Sequence, residues 1–234
     1  MKPAAQIPLD LPYRPALSGD DYFVAQANAT AIDWVDRWPD WPGPGVAIHG
    51  ERGAGKSHLL QVFAARSRCL IINRENLGRA ISDTDADAFA IDDADDFTKS
   101  SSDAAEGLFH LFNAARSNHR KLFLTARSPA ARWDVPLKDL MSRLKILDSV
   151  SIGAPDDELL SVLLMKQFSD RQIRIDRDVV HFLTTRMERS TAAVTDLVAA
   201  LDQEALARKQ AITVPLARTV LDRQMATRQT NLDF

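Results

Sequence analysis

The chain has 234 residues, 45% of them hydrophobic, and its 29 basic and 32 acidic side chains leave a formal net charge of −3. That composition gives a folded core in one or two domains; it excludes disorder over most of the length and argues against a dedicated nucleic-acid-coating protein. A single cysteine, Cys69, excludes an intrachain disulfide, no stretch reaches the ~20 apolar residues of a membrane helix, and proline and glutamine stand where an export signal needs its apolar core, so a cytoplasmic location without a membrane partner is expected.

Residues 1–18 carry Pro3, Pro8, Pro12 and Pro15, which remove backbone donors and bias their predecessors to extended geometry, so a flexible arm is expected there. The α/β part, 19–153, opens with Ala31, Ile32, Val35 and Trp38 at helical spacing after Asn28, and the run WPDWPGPG ends that helix. Val46 to His49 reads as a short buried strand, and a helix follows from about His58. Further strands are expected at Cys69–Asn73, Ala88–Asp93, Lys121–Ala126 and Ser149–Ile152. Between them lie a short helical piece, an acidic turn near Asp83 to Asp87, a helix with Leu108, Leu111, Phe112 and Ala115 on one face, and a short helix at LKDLMSRL. Strands alternating with helices imply a parallel sheet, here five-stranded, with flanking helices. From 154 to 225 the alternation stops. Helices beginning near Asp156, Asp176 and Thr191, with a short fourth at TVPLARTVLDRQ, form an all-helical lid, and 226–234 is a tail too short to fold by itself.

The chemistry centres on GERGAGKS, Gly50 to Ser57. Gly50, Gly53 and Gly55 let the backbone curl until its N–H groups converge on phosphate oxygens; Lys56 neutralises charge and the Ser57 hydroxyl can ligate Mg2+. With Ala54 and the following His58, this stretch is the candidate site for ADP or ATP, and the helix N-terminus adds positive partial charge beneath the phosphates. A strand ending in Asp92-Asp93 supplies the carboxylates: Asp92 as the second Mg2+ partner and Asp93 to orient the attacking water. Asp95 and Asp96 read as an exposed acidic turn. Thr125 ends a neighbouring strand with a hydroxyl that can sense the terminal phosphate. Arg143, just before the last strand, is placed to reach the nucleotide of a neighbouring subunit, or else is a surface arginine on a short helix.

In the order YFV, GERGAGKS, FAIDD, FLTA, SRL and a helical lid, the chain resembles the AAA+ ATPases of the bacterial replication-initiator group, and among them the Hda-type homologues of the initiator DnaA. The resemblance implies that Tyr22, Phe23 and Val24 lie beside the adenine, that Asp92 and Asp93 are Walker B, Thr125 sensor 1 and Arg143 an arginine finger. One departure stands out: the lid position where the family carries its sensor 2 arginine is Thr195, with Arg189 as the nearest possible substitute. Losing that cation weakens discrimination of ATP from ADP and points to little intrinsic hydrolysis.

Only Ala226 to Phe234 follow the lid, so no DNA-reading domain is expected and DNA is reached only indirectly. The arm segment QIPLDLP resembles the peptide that docks on the bacterial sliding clamp (the DNA polymerase III beta subunit), with Gln6 as anchor and Leu9 and Leu11 in an apolar pocket. Gln229, Leu232 and Phe234 repeat that spacing at the other end as a possible second clamp ligand. The resemblance thus implies a negative regulator of replication initiation: it binds adenine nucleotide and the clamp, and stimulates ATP hydrolysis by the DnaA initiator, nucleoid-associated through the clamp and capable of homo-oligomerisation. The alternatives are a self-sufficient AAA+ ATPase of the helicase-loader kind, a small P-loop kinase, and a nucleotide-stabilised adaptor.

Overall fold

The computed structural model describes residues 13–14, 22–80 and 85–232, and the side chains of 23–80 and 85–226. The expected arm contains a two-residue strand, β1 (Tyr13–Arg14), paired antiparallel with β2 (Tyr22–Phe23), with Tyr13 opposite Phe23. This pairing is made by backbone groups, which the proline pattern of the arm does not reveal. Helix α1 (Ala29–Asp36) buries Ala31, Ile32, Trp34 and Val35. Then come β3 (Gly45–His49), α2 (Lys56–Arg66), β4 (Cys69–Ile71), α3 (Leu77–Ala80), β5 (Ala88–Ile91), α4 (Ala94–Lys99), α5 (Ser102–Ser117) and β6 (Lys121–Ala126). Helix α6 (Lys138–Leu144) and β7 (Asp148–Ser151) complete this part. The five-stranded sheet is parallel throughout, in the order β4-β5-β6-β3-β7.

Alternation along the strands divides the core between two faces. Ala47, Phe89, Ile91, Leu122 and Leu124 pack on one side against Leu108, Leu111 and Phe112 of α5 and Leu140 and Leu144 of α6. Val46, Ile48, Ala90, Phe123 and Val150 pack on the other against α1 and α2. On that second face Phe63 stacks on Phe123 with centroids 4.6 Å apart and on Trp41 at 5.2 Å, and Trp38 meets Phe63 edge-on. The indole N–H of Trp41 donates to the Trp34 carbonyl at 2.7 Å. Trp133, buried on the opposite face, donates to the Ser128 carbonyl at 2.8 Å.

The second part is helical, as its periodicity predicts: α7 (Asp157–Asp170), α8 (Arg177–Thr184), α9 (Thr191–Arg208) and α10 (Val214–Leu232). Asp156 and Ser190 are N-caps whose side chains accept the backbone N–H of Leu159 and Ala193. Leu160, Leu164 and Phe168, Val180 and Leu183, Val194 and Leu201, and Leu216 and Val220 fill a core of their own. Helix α10 runs well beyond the short helix expected, because neither proline nor glycine interrupts 216–232. The segment set apart as a tail is therefore largely helical backbone. Among the described residues, no helix is long and apolar enough to cross a membrane.

Candidate functional site

The turn from β3 into α2 takes the shape that its glycines require. Gly53 has φ +77° and Gly55 φ +98°, left-handed conformations that residues with a Cβ adopt only at a cost. Lys56 is 5% exposed, and its ammonium donates to the carbonyls of Gly50 at 2.8 Å and Glu51 at 3.0 Å. Gly50 itself is pressed against the residue that follows β7, where a Cβ would meet the Ile152 carbonyl at 2.3 Å. The loop opens on a cavity of about 730 Å³, lined by Gly53, Ala54, Gly55, Lys56, Ser57 and His58, and by Phe23, Asn28, Asp93 and lid residues. That volume is in the ordinary range of ligand sites.

At the ends of β5 and β6 the carboxylates are assembled around Thr125. Parallel register sets Ile91 opposite Leu124, which brings the next residue, Asp92, level with Thr125. Thr125 is fully buried; its hydroxyl donates to Asp92 Oδ1 and accepts from the backbone N–H of Asp93 at 2.9 Å. Asp93 adopts φ +45° at the start of α4, a conformation that Asp tolerates better than most residues. Ser57 and Asp92 carry oxygen donors of the kind Mg2+ takes. Among the described residues, no three His, Cys, Asp or Glu side chains gather as a self-sufficient metal site.

Burial, and next the neighbouring Asp92 carboxylate, push the Asp93 pKa above the usual carboxylate range, while Lys56 pulls against them. A carboxyl with a raised folded-state pKa holds its proton more tightly folded than unfolded. Its contribution to stability is full below the unfolded value of 3.8 and is lost as pH rises through the folded value. We therefore predict that Asp93→Asn is more stable than the parent near neutral pH in the absence of nucleotide. Denaturant unfolding should show that advantage shrinking as pH falls through the raised folded-state pKa toward 3.8.

The exposed acidic turn expected at Asp95 and Asp96 is a helical turn in which Asp96 is exposed, as expected, and Asp95 is not. Both lie on α4, and Asp95 is buried at 4% exposure, its Oδ2 accepting the Arg127 backbone N–H at 3.0 Å. A hydrogen-bond partner 32 positions away explains why the local pattern concealed this. Phe23 lines the cavity and the neighbouring Val24 packs against the core beneath α1. Tyr22 is placed by its backbone in β2 only. Gln6, Leu9 and Leu11, and the side chains of Gln229, Leu232 and Phe234, lie outside the described residues.

Lid residues form the remaining wall. Leu159, Leu163, Lys166, Gln167 and Asp170 come from one face of α7, and Thr191 and Thr195 from the first turns of α9. Thr195 does face the cavity; its hydroxyl accepts from Gln167 Nε2 at 3.0 Å and donates to the Thr191 carbonyl at 3.3 Å. Arg189 is not its substitute: the guanidinium pairs with Asp157 at 2.7 Å and is not among the lining residues. The lid cation in the cavity is Lys166, 3.2 Å from Asp170. Sequence reading missed it along with Asn28, which is 4% exposed and braces the Phe23 segment by accepting from Ala25 N and donating to the Phe23 carbonyl. Lid and loop meet directly, the N–H and hydroxyl of Thr191 donating to the Gly53 carbonyl at 2.7 and 2.8 Å. Arg143, in the last turn of α6, does not line the cavity, and its side chain makes no hydrogen bond or ion pair among the described residues.

Comparison with known proteins agrees with this arrangement. The family model described as "Hda, lid domain" matches residues 156–221. An uncharacterised protein of Haemophilus influenzae is 25% identical over 196 residues, covering 78% of this chain and 84% of its own. The chromosomal replication initiator protein DnaA of Campylobacter jejuni is 22% identical over 233 residues, covering 92% of this chain and 52% of the initiator, so the chain spans about half the length of that relative. Among solved structures, domain III of Thermotoga maritima DnaA superposes with a TM-score of 0.73 at 17% identity, covering 86% of this chain and 93% of that one. AMPPCP-bound DnaA from Aquifex aeolicus gives 0.67 at 15% identity, with 90% and 69% covered.

Proposed function

We propose that this chain, a DnaA-like AAA+ protein with a lid of the Hda type, is a negative regulator of replication initiation that acts on the initiator's nucleotide more than on its own. Adenine nucleotide, ADP or ATP, lies with its phosphates on Gly53 to Ser57 and its base toward Phe23. Ser57 and Asp92 would hold Mg2+, which would supply charge neutralisation at the phosphate oxygens. The chain's own groups position this ensemble: Lys56 leaves the loop carbonyls for phosphate, and Thr125 holds Asp92 and Asp93 in register.

The observation that carries the reading is Arg143, on a partly exposed face beside the anchoring Leu140 and Leu144, off its own cavity and without an ion pair among the described residues. A guanidinium so placed is available to another subunit's phosphates, where an arginine supplied in trans stabilises phosphoryl-transfer charge. Gln6, Leu9 and Leu11 tether the protein to the DNA-loaded sliding clamp and so concentrate it where ATP-bound initiator is met. Contact with DNA is indirect through the clamp, and self-association would use the same Arg143 face.

The test is a pull-down on purified clamp with the parent and Gln6→Ala, followed by an initiator ATPase assay on the loaded clamp. The parent is expected to bind and to stimulate hydrolysis, and Gln6→Ala to lose both on the clamp. Stimulation that persists undiminished without clamp binding would remove the tether from the mechanism. A second reading, a self-sufficient ATPase, is favoured by the intact Asp92, Thr125 and Asp93 group; robust turnover with no initiator present would select it.

A further inference from the structure

Asp95 and Asp96 are both directed at one residue, Arg127, which the sequence reading did not single out. Arg127 is the first residue beyond β6. Its backbone is fixed from beneath by buried Asp95 and its guanidinium is drawn sideways by Asp96, Nη2 to Oδ2 at 3.0 Å. The other oxygen of Asp95, Oδ1, is buried and has no hydrogen-bond partner among the described residues, so the carboxylate is held there for this one backbone contact. Arg127 lines the same cavity as Asp93 and Lys56, and its charge, like that of Lys56, favours the Asp93 carboxylate. It therefore shares the cavity with the Gly53–Ser57 loop. Across the cavity, Thr195 offers only a hydroxyl already engaged by Gln167 and Thr191.

We propose that Arg127 is the phosphate-sensing cation of this pocket: it exchanges Asp96 for the terminal phosphate of a bound nucleoside triphosphate and so sets the preference for ATP over ADP. The inference rests on the nucleotide-binding reading above. The Arg127–Asp96 pair is more than half exposed on both sides, and such pairs are weak enough to be exchanged for a phosphate, which the guanidinium fork matches in geometry and charge. A cation on the β6 side, anchored through α4, reads the phosphate without any movement of the lid.

The test is competition of a fluorescent adenine nucleotide by Mg-ADP and by a slowly hydrolysed Mg-ATP analogue, on the parent, Arg127→Ala, Arg127→Lys and Asp96→Asn. Arg127→Ala is expected to lose about tenfold in affinity for the triphosphate and at most about twofold for the diphosphate. Arg127→Lys should recover part of the loss, and Asp96→Asn, which frees the guanidinium, should bind the triphosphate more tightly than the parent. The triphosphate-to-diphosphate ratio is internal to each variant, so a partial folding defect does not move it. An unchanged ratio in Arg127→Ala overturns the proposal while leaving the nucleotide site intact. Failure of the parent to bind either nucleotide overturns the site itself and the proposal with it.

Discussion

Replacing Arg143 by alanine is expected to abolish stimulation of the initiator's ATPase while nucleotide and clamp binding stay at the parent level. Helix α6 is anchored by Leu140 and Leu144, both fully buried, so truncating Arg143 removes a charge from the helix without removing its packing. The chain's own cavity does not include Arg143, and nucleotide affinity has no reason to change. In trans, loss of a guanidinium at a transferring phosphoryl group costs about 10³- to 10⁵-fold in rate in well-studied systems. Lysine is expected to rescue poorly, because a point cation does not reproduce the planar fork. The measurement is phosphate release from ATP-bound initiator on clamp-loaded DNA, with a thermal melt of each variant alongside. Undiminished stimulation by a folded Arg143→Ala protein would sink the finger assignment.

A second large effect is expected at Gly53. Gly53→Ala imposes a Cβ on a residue at φ +77° and drives that atom to 2.5 Å from the Ser190 Cβ. Backbone strain and the forced displacement of the α9 cap together are expected to cost about 2–4 kcal/mol. Nucleotide affinity should fall as well, because the loop carbonyl that Thr191 engages belongs to the phosphate cradle. In a Ser190→Gly background, itself costing only a few tenths of a kcal/mol as a cap change, the steric part should return and the strain remain. Denaturant unfolding of the four proteins closes this double-mutant cycle; strict additivity would show that the lid cap and the loop do not press on one another.

How far the sequence reached follows from the range of each signal. The strand order β4-β5-β6-β3-β7 carries the phosphate loop at one strand end and Asp92 and Asp93 at another. Both could be located because motif and periodicity are contained within a few residues. Thr125 was legible for the same reason, at the end of an apolar run. Asp95 was not, since a carboxylate buried by a backbone N–H 32 residues on has no local signature. Arg127 was hidden with it. The α7 face carrying Lys166 and Gln167 repeats at helical spacing, but that spacing says only that a face exists, not that it looks into the cavity. Arg189 illustrates the converse: one candidate partner, Asp157, stands at a distance in sequence that no lid motif marks.

The chain's four tryptophans, Trp34, Trp38, Trp41 and Trp133, and both tyrosines, Tyr13 and Tyr22, precede α7, so the lid carries neither an indole nor a phenol. Indole emission follows the sheet and its two aromatic packings alone, while far-ultraviolet ellipticity follows the helices of both parts. Coincident unfolding midpoints by the two probes would mean that the Thr191 contacts to Gly53 weld sheet and lid into one cooperative unit, and separated midpoints that the lid melts as a unit of its own.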